Sequence, residues 1–319
     1  KLVREVVVME LNESMDYEVE LDANYTVQES RIMSTQLKAN WSHNEEPMPI
    51  ASSESYSAIA ENEYKFTNKD PLNTFSIDVD RASYSNMRRF INNGSLPPAD
   101  AVRIEQMINY FEYDYDVPKG KDPVAIFTEM APAPWNTDHK LLHVGIKAKE
   151  IEKDNLPPSN MVFLIDVSGS MSAHNKLPLL KSGMKMLVNE MRAQDKVAIV
   201  VYAGAAGLVL ESTPGNEKDK IIAAIDRLNS GGSTAGGAGI NLAYATAAVG
   251  YLKEGNNRII LATDGDFNVG ASSDQAMQSL IEKKREEGVF LTVLGFGMGN
   301  YKDSKMEILA DKGTGNYAY

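Results

Sequence analysis

"MVFLIDVSGSMS", Met161–Ser172, decides how this chain is read. Five apolar residues, Met161 to Ile165, run into Asp166, and Ser168 and Ser170 follow at every second position. A run this short and this apolar is a strand covered on both faces, as parallel strands are. Its end is the odd part. A buried strand normally closes with one or two turn residues, whereas this one closes with a carboxylate and two hydroxyls spaced around small residues. The alternation puts both serines on one side of the chain beside Asp166, so the strand delivers a cluster of oxygens.

Working outward, strands and helices alternate after Leu156-Pro157-Pro158. Strands are expected at 161–166, 196–203, 207–212, 258–264 and 289–297. Helical stretches are expected at 175–192, 216–228, 236–253 and 273–287; in the first, apolar positions 177, 180, 184, 187, 188 and 191 keep a step of three or four. Such alternation predicts an α/β fold with a doubly wound, mostly parallel sheet. In these sheets ligands bind beyond the carboxyl ends of the strands, where the strand order reverses. "RIILATD" ends in Asp264 as "MVFLID" ends in Asp166. A strand order of 3-2-1-4-5 would make these two strands neighbours at the reversal. The loop "SGGSTAGG" (230–237) opens the helix before Asp264's strand, and its glycines allow a tight turn that could bring Thr234 into the same crevice.

Asp166, Ser168, Ser170, Thr234 and Asp264 are hard oxygen donors, with no nitrogen or sulfur among them. Such a set suits Mg²⁺, Mn²⁺ or Ca²⁺ and is poor for zinc or copper. The three hydroxyls bring no charge, and the two carboxylates could sit one shell out, holding coordinated waters. An ion held mainly by neutral oxygens stays electrophilic and leaves a position for a carboxylate from outside. The expected partner is a protein ligand offering an Asp or Glu.

These residues carry a resemblance. "DVSGSM", "GGST" and "TDGD" resemble the metal-ion-dependent adhesion site of von Willebrand factor type A domains. Asp166, Ser168 and Ser170 match the D-x-S-x-S motif, Thr234 the family's threonine and Asp264 its distal aspartate, over about 159 to 319. The resemblance implies a Rossmann-like three-layer domain with one divalent cation, bound directly by Ser168, Ser170 and Thr234, and by Asp166 and Asp264 through water or directly. Residues 72 to 150 resemble, more loosely, an extension that precedes this domain in certain bacterial cell-surface proteins, often lipoproteins. That implies an extracellular or periplasmic adhesion protein, anchored through an N-terminal segment outside these residues. The family's closing helix has no counterpart after "GNYAY", which leaves the helix-driven affinity switch of integrin-type relatives without its moving part. The alternative is an intracellular or periplasmic assembly or chaperone-like role, as type A domains have in metal-chelatase complexes.

Composition narrows the field. A net charge of −12 over 319 residues argues against nucleic acid, which is bound largely through Lys and Arg contacts to phosphate. No run of 18 apolar residues could span a membrane. The absence of cysteine removes disulfides, thiolate nucleophiles and cysteine-rich zinc sites together. The chain begins at Lys1, so a leader is expected to have been trimmed away.

Three segments are expected. Residues 1–71 read as a flexible or loosely attached arm, with short strands in "EVVVMEL" and "YEVELD" and a linker-like "NEEPMPIASSESYS". Residues 72–156 read as an α+β extension: a strand in "NTFSIDVD", a short helix in "SYSNMRRFINNG", a stronger helix over 98–112, and strands in "VAIFTEMA" and "LLHVGIKAKE". The 98–112 helix has an apolar face of Val102, Ile104, Met107, Ile108 and Phe111, which predicts docking on the main domain, residues 157–319.

Rival readings are weaker. Asp166 and the serines could simply cap the helix that follows. "DVSGSM" does not match the G-x-S-x-G elbow, and no histidine stands where a triad needs one. "FSIDVDRAS" resembles the aspartate pair of haloacid-dehalogenase-type phosphatases at Asp78 and Asp80, but Ala82 stands where Thr or Val is preferred; Asp80 as a cap of the next helix is simpler. His139 and His143 share a face of a strand and could pair on a metal, though solvated surface histidines explain them as well. "SGGSTAGGAG" lacks the Gly-Lys-Ser/Thr of a phosphate loop, and "GFGMGN" lacks dinucleotide spacing. No enzymatic activity is expected.

Overall fold

The structure is a computed structural model that describes residues 4–12, 54–59, 62–74, 80–152, 155–231, 236–265, 274–297 and 302–319. The expected strands in "YEVELD" and "NTFSIDVD", together with Asp78, Thr234 and the second half of "GFGMGN", lie wholly or largely outside them. The chain divides into two compact units: Lys1–Val7, Ser52–Phe127 and Val144–Tyr319 form one, and Val8–Ala51 with Thr128–His143 the other. No helix among the described residues is long and apolar enough to cross a membrane.

In chain order the first elements are β1 (Arg4–Asn12), α1 (Ala82–Asn92), α2 (Ile104–Ile108), β2 (Val124–Ala133) and β3 (Asn136–Ala148). The three strands form a sheet in the order β1–β3–β2. His139 and His143 both fall on β3.

The expected helix over 98–112 is replaced by a single 3₁₀ turn at Ala99–Ala101 and the five-residue α2. Its predicted apolar face is not the buried one: Ile104 is 69% and Phe111 49% exposed, while Gln106 and Asn109 are buried. A polar network sets this orientation. Gln106 Oε1 accepts the Ser83 N–H at 2.9 Å, and the Ser83 hydroxyl donates to the Ala101 carbonyl at 2.7 Å while accepting the Arg103 N–H at 2.9 Å. Buried groups left without partners would cost more than exposing two apolar side chains.

The second sheet has six strands in the order β6–β5–β4–β7–β8–β9. They are β4 (Ser159–Asp166), β5 (Lys196–Tyr202), β6 (Ala206–Pro214), β7 (Asn256–Thr263), β8 (Val289–Gly295) and β9 (Tyr317–Ala318). Counted within this domain the order is 3-2-1-4-5-6. All pairings are parallel except β5 with β6. Only residues 203–205 separate that pair, too few for the crossover that a parallel connection needs.

Both faces are covered. Phe163 and Ile165 of β4 pack with α3 (Leu177–Glu190) and α4 (Lys218–Asp226). Val162 and Leu164 pack with α5 (Gly236–Val249), α6 (Asp274–Glu286) and α7 (Asp303–Lys312). This is why the strand reads as an unbroken apolar run. The helix α7 was not expected from the sequence; its buried Met306, Leu309 and Ala310 are few and sit among charged residues.

The stretch around α1 and α2 is built into this unit. Ala82 lies in the same core as Met306, Leu309 and Tyr317. Asp80 does not cap α1, whose N-cap is Arg81 without a side-chain bond. Instead, buried Asp80 accepts the Tyr317 N–H of β9 at 3.0 Å. Arg103 pairs with Glu307 and, at 3.8 Å, with Asp303 on α7.

Candidate metal site

The parallel pairing of β4 with β7 runs from Ser159↔Asn256 to Ile165↔Ala262, which places Asp166 and Asp264 at the same carboxyl end of neighbouring strands. Both carboxylates are 0% exposed there and Ser168 3%. Ser170 is exposed. It stands on a one-turn 3₁₀ helix, Gly169–Ser172, pinned by Met171, which is fully buried in the core.

Asp166 is held from three directions. The Ser168 N–H donates to Oδ1 at 2.8 Å, and the Tyr202 and Thr263 hydroxyls each donate to Oδ2 at 3.3 Å. Tyr202 is itself fixed from behind, because a Cβ on Gly239 of α5 would stand 2.9 Å from the Tyr202 Cβ. Burial pushes the Asp166 carboxyl above its ordinary value; the Ser168 bonds pull it down, and the charge of Asp264 pushes it up again. None of these bonds caps α3, whose N-cap Lys176 has no side-chain capping bond. The capping alternative is not what this strand end does.

The Ser168 and Ser170 hydroxyls lie 2.9 Å apart. Thr234 lies outside the described residues. The chain leads toward it from Gly231, whose N–H donates to the Val167 carbonyl at 2.7 Å, tying that loop to the end of β4. Asp264 carries the contact that the sequence did not suggest: Oδ2 accepts the ammonium of Lys176 at 2.8 Å. The signal, a lysine just before a helix, is one that most helices would place in solvent.

Two fully buried carboxylates and a hydroxyl pair at the carboxyl ends of adjacent parallel strands define an α/β domain of the type A class, whose members serve protein interaction and often hold a divalent ion at such a place. The donors present fit such an ion. Neighbouring oxygens around an octahedral Mg²⁺ at about 2.0–2.1 Å stand about 2.9 Å apart, the separation of the two serine hydroxyls.

The chain belongs to the von Willebrand factor type A family: the model for the von Willebrand factor type A domain matches residues 160–319, and one described as von Willebrand factor matches 50–143. It is 50% identical over 271 residues to the uncharacterized protein YfbK of Escherichia coli (strain K12), covering 83% of this chain and 47% of that protein. It is 28% identical over 183 residues to the uncharacterized protein sll0103 of Synechocystis, covering 57% and 42%. The chain thus spans about half the length of the curated relatives it matches. Among solved structures, BatB from Bacteroides thetaiotaomicron matches at 22% identity and a TM-score of 0.43, covering 50% of this chain and 89% of that one. Proximal thread matrix protein 1 of the mussel byssus, with a zinc-occupied MIDAS motif, matches at 26% and 0.41, covering 51% and 41%. Neither likeness is strong enough to bear on function.

Proposed function

We propose that this chain is a divalent-cation-dependent binding module that captures an acidic side chain of a partner protein and catalyses no reaction. One observation carries the reading: the hydroxyl pair of Ser168 and Ser170, 2.9 Å apart, beside the buried carboxylates of Asp166 and Asp264. Ser168 and Ser170, with Thr234, would hold the ion directly. Both oxygens of Asp166 already accept protein donors, which suits a carboxylate acting through a coordinated water. The ion, when bound, supplies an electrophilic position for one carboxylate from outside. The protein's part is to orient neutral oxygens toward it and keep the counter-charges beneath.

Among the described residues, nothing at this strand end supports a hydrolytic role. The exposed Ser170 hydroxyl has Ser168 as its partner, and no histidine takes part in the described bonds of the site. A phosphatase reading through Asp78 finds no support in Asp80, which is buried and bonded to the backbone of β9. Display on the outside of a bacterial cell, through a lipid-anchored N-terminal segment, fits the resemblance of the 72–150 region.

Thermal melts with Mg²⁺ test the site. A ligand that binds only the folded state raises its midpoint by mass action, so Mg²⁺ is expected to raise the wild-type midpoint and to leave Ser168→Ala unmoved. An equal response in that variant eliminates the site. For the partner, an array of acidic peptides is expected to yield binding that needs Mg²⁺, vanishes with EDTA and is lost when the peptide's Asp or Glu becomes Asn or Gln. Metal-dependent esterase or phosphatase turnover lost in Ser170→Ala would overturn the binding reading.

A further inference from the structure

We propose that Lys176 is a built-in counter-cation of the metal site: its ammonium holds Asp264 in the metal-free protein and opposes the divalent ion when it binds. The inference rests on the reading of this strand end as a metal site, and three independent features lead to it.

The first is position. Lys176 is the residue before α3 and is only 8% exposed. The start of a helix carries a partial positive charge, so a buried ammonium there is placed against the local field. Asp264, fully buried and 2.8 Å away, is what offsets that cost. The second is the passage the side chain takes. It crosses Gly297 so closely that a Cβ there would lie 2.0 Å from the Lys176 Cε, and Gly297 adopts φ +82°, which favours glycine. Gly297, which its φ calls for in any case, leaves this side chain a passage with no Cβ in it. The third is the charge count: two buried carboxylates, Asp166 and Asp264, lie at neighbouring strand ends with this one ammonium bonded to the second.

The consequence follows by counting. Counting the described residues Asp166, Asp264 and Lys176 alone, the divalent ion meets a net charge of −1 with Lys176 present and brings it to +1. Without Lys176 it enters −2 and ends neutral. The lysine therefore stabilises the metal-free state, lowers affinity for the cation and leaves a loaded site that calls for one negative group from a partner. It also limits how tightly a divalent ion can be held with no partner present.

The test is calorimetric titration of the full chain with MgCl₂ at low ionic strength, with thermal melts in chelator, for wild type, Lys176→Met and Lys176→Gln. Lys176→Met is expected to bind Mg²⁺ at least about tenfold more tightly while its metal-free midpoint falls. Lys176→Gln keeps a donor for Asp264 without the charge, so it should keep more of the metal-free stability and show the same gain in affinity; it carries the test if the methionine variant does not fold without metal. Unchanged or weaker Mg²⁺ binding in the folded variants overturns the proposal. Ser168→Ala separates the two levels. If wild type binds Mg²⁺ and Ser168→Ala does not, yet the lysine variants match wild type, only the role of Lys176 fails. If wild type and Ser168→Ala respond alike, the metal site falls and the role of Lys176 with it.

Discussion

Asp166 is charged where charge is costly. It lies 0% exposed at a strand end, and burial raises its carboxyl above the ordinary value. Because the folded pKa is the higher one, the unfolded chain holds fewer protons near that pH. The metal-free protein therefore gains stability from this group as pH falls through the folded pKa toward the ordinary carboxylate range, and lacks that gain at neutral pH. Asp166→Asn is thus expected to stabilise the metal-free protein at neutral pH by about 1–2 kcal/mol while abolishing the Mg²⁺ response. The advantage should shrink as pH is lowered, which denaturant melts of both proteins in chelator would read. A less stable Asn variant would mean that the three hydrogen bonds outweigh the buried charge. At this scale much of the candidate site was legible, because Asp166, Ser168, Ser170 and Asp264 sit in short local motifs at strand ends. Lys176, Tyr202 and Thr263 were not. Their roles come from contacts across 88, 36 and 97 positions of chain, which no local spacing encodes.

Elements act through the faces they press together, and α5 shows it with one glycine. Gly239 is the fourth residue of that helix, where alanine would ordinarily stabilise by up to about 1 kcal/mol. Here the added Cβ would meet the Tyr202 Cβ at 2.9 Å and Leu164 Cδ1 at 3.2 Å, side chains locked between sheet and helix. Gly239→Ala is therefore expected to destabilise by about 1–3 kcal/mol, and to weaken Mg²⁺ binding by shifting the tyrosine that bonds Asp166. Stabilisation in a urea melt would show that the helix can slide. A second lesson comes from α2 and α7. Arg103 pairs with Glu307 and Asp303, both with burial raising their carboxyls. Arg103→Met leaves two part-buried carboxylates without their cation and should cost about 2–4 kcal/mol, read by the same melts. The sequence could not show this. The periodic 98–112 stretch offered an apolar face, and period alone cannot tell that Gln106 and Asn109 would be the buried side chains. The strands of the larger sheet were easier, since runs such as Val197–Val201 admit few readings.

Over the whole molecule, the stretch that precedes α1 is fastened to α1, and through Ser55 to the type A domain, and is exposed beyond these points. Glu54 takes Arg89 through two bonds, Nη1 to Oε1 at 2.9 Å and Nη2 to Oε2 at 2.8 Å, and Asn86 donates to the Tyr56 hydroxyl at 2.7 Å. Ser55 bridges to Lys302, and the Arg89 guanidinium lies 5.4 Å from the centre of the Tyr319 ring. By contrast residues 62–74 are exposed at every position, Tyr64, Phe66 and Leu72 by 65–86%. The junction before β4 is held differently again: Arg192 donates to the Leu156 and Pro157 carbonyls at 2.8 and 2.9 Å, and the Asn256 N–H to Pro158 at 2.9 Å. Proteases need a segment that opens locally, and backbone fixed on both sides opens rarely. Brief treatment with a protease of broad specificity, such as proteinase K, is thus expected to cut within 62–74 well before the 155–160 junction. The piece carrying Glu54–Ile59 should then co-elute with the rest on gel filtration, released only by Arg89→Ala or high salt. First cleavage at the junction, yielding two fragments that separate without denaturant, would show that the extension and the type A domain are independent bodies and that the contacts of Ser55 with Lys302 and of Arg89 with Tyr319 do not bind them.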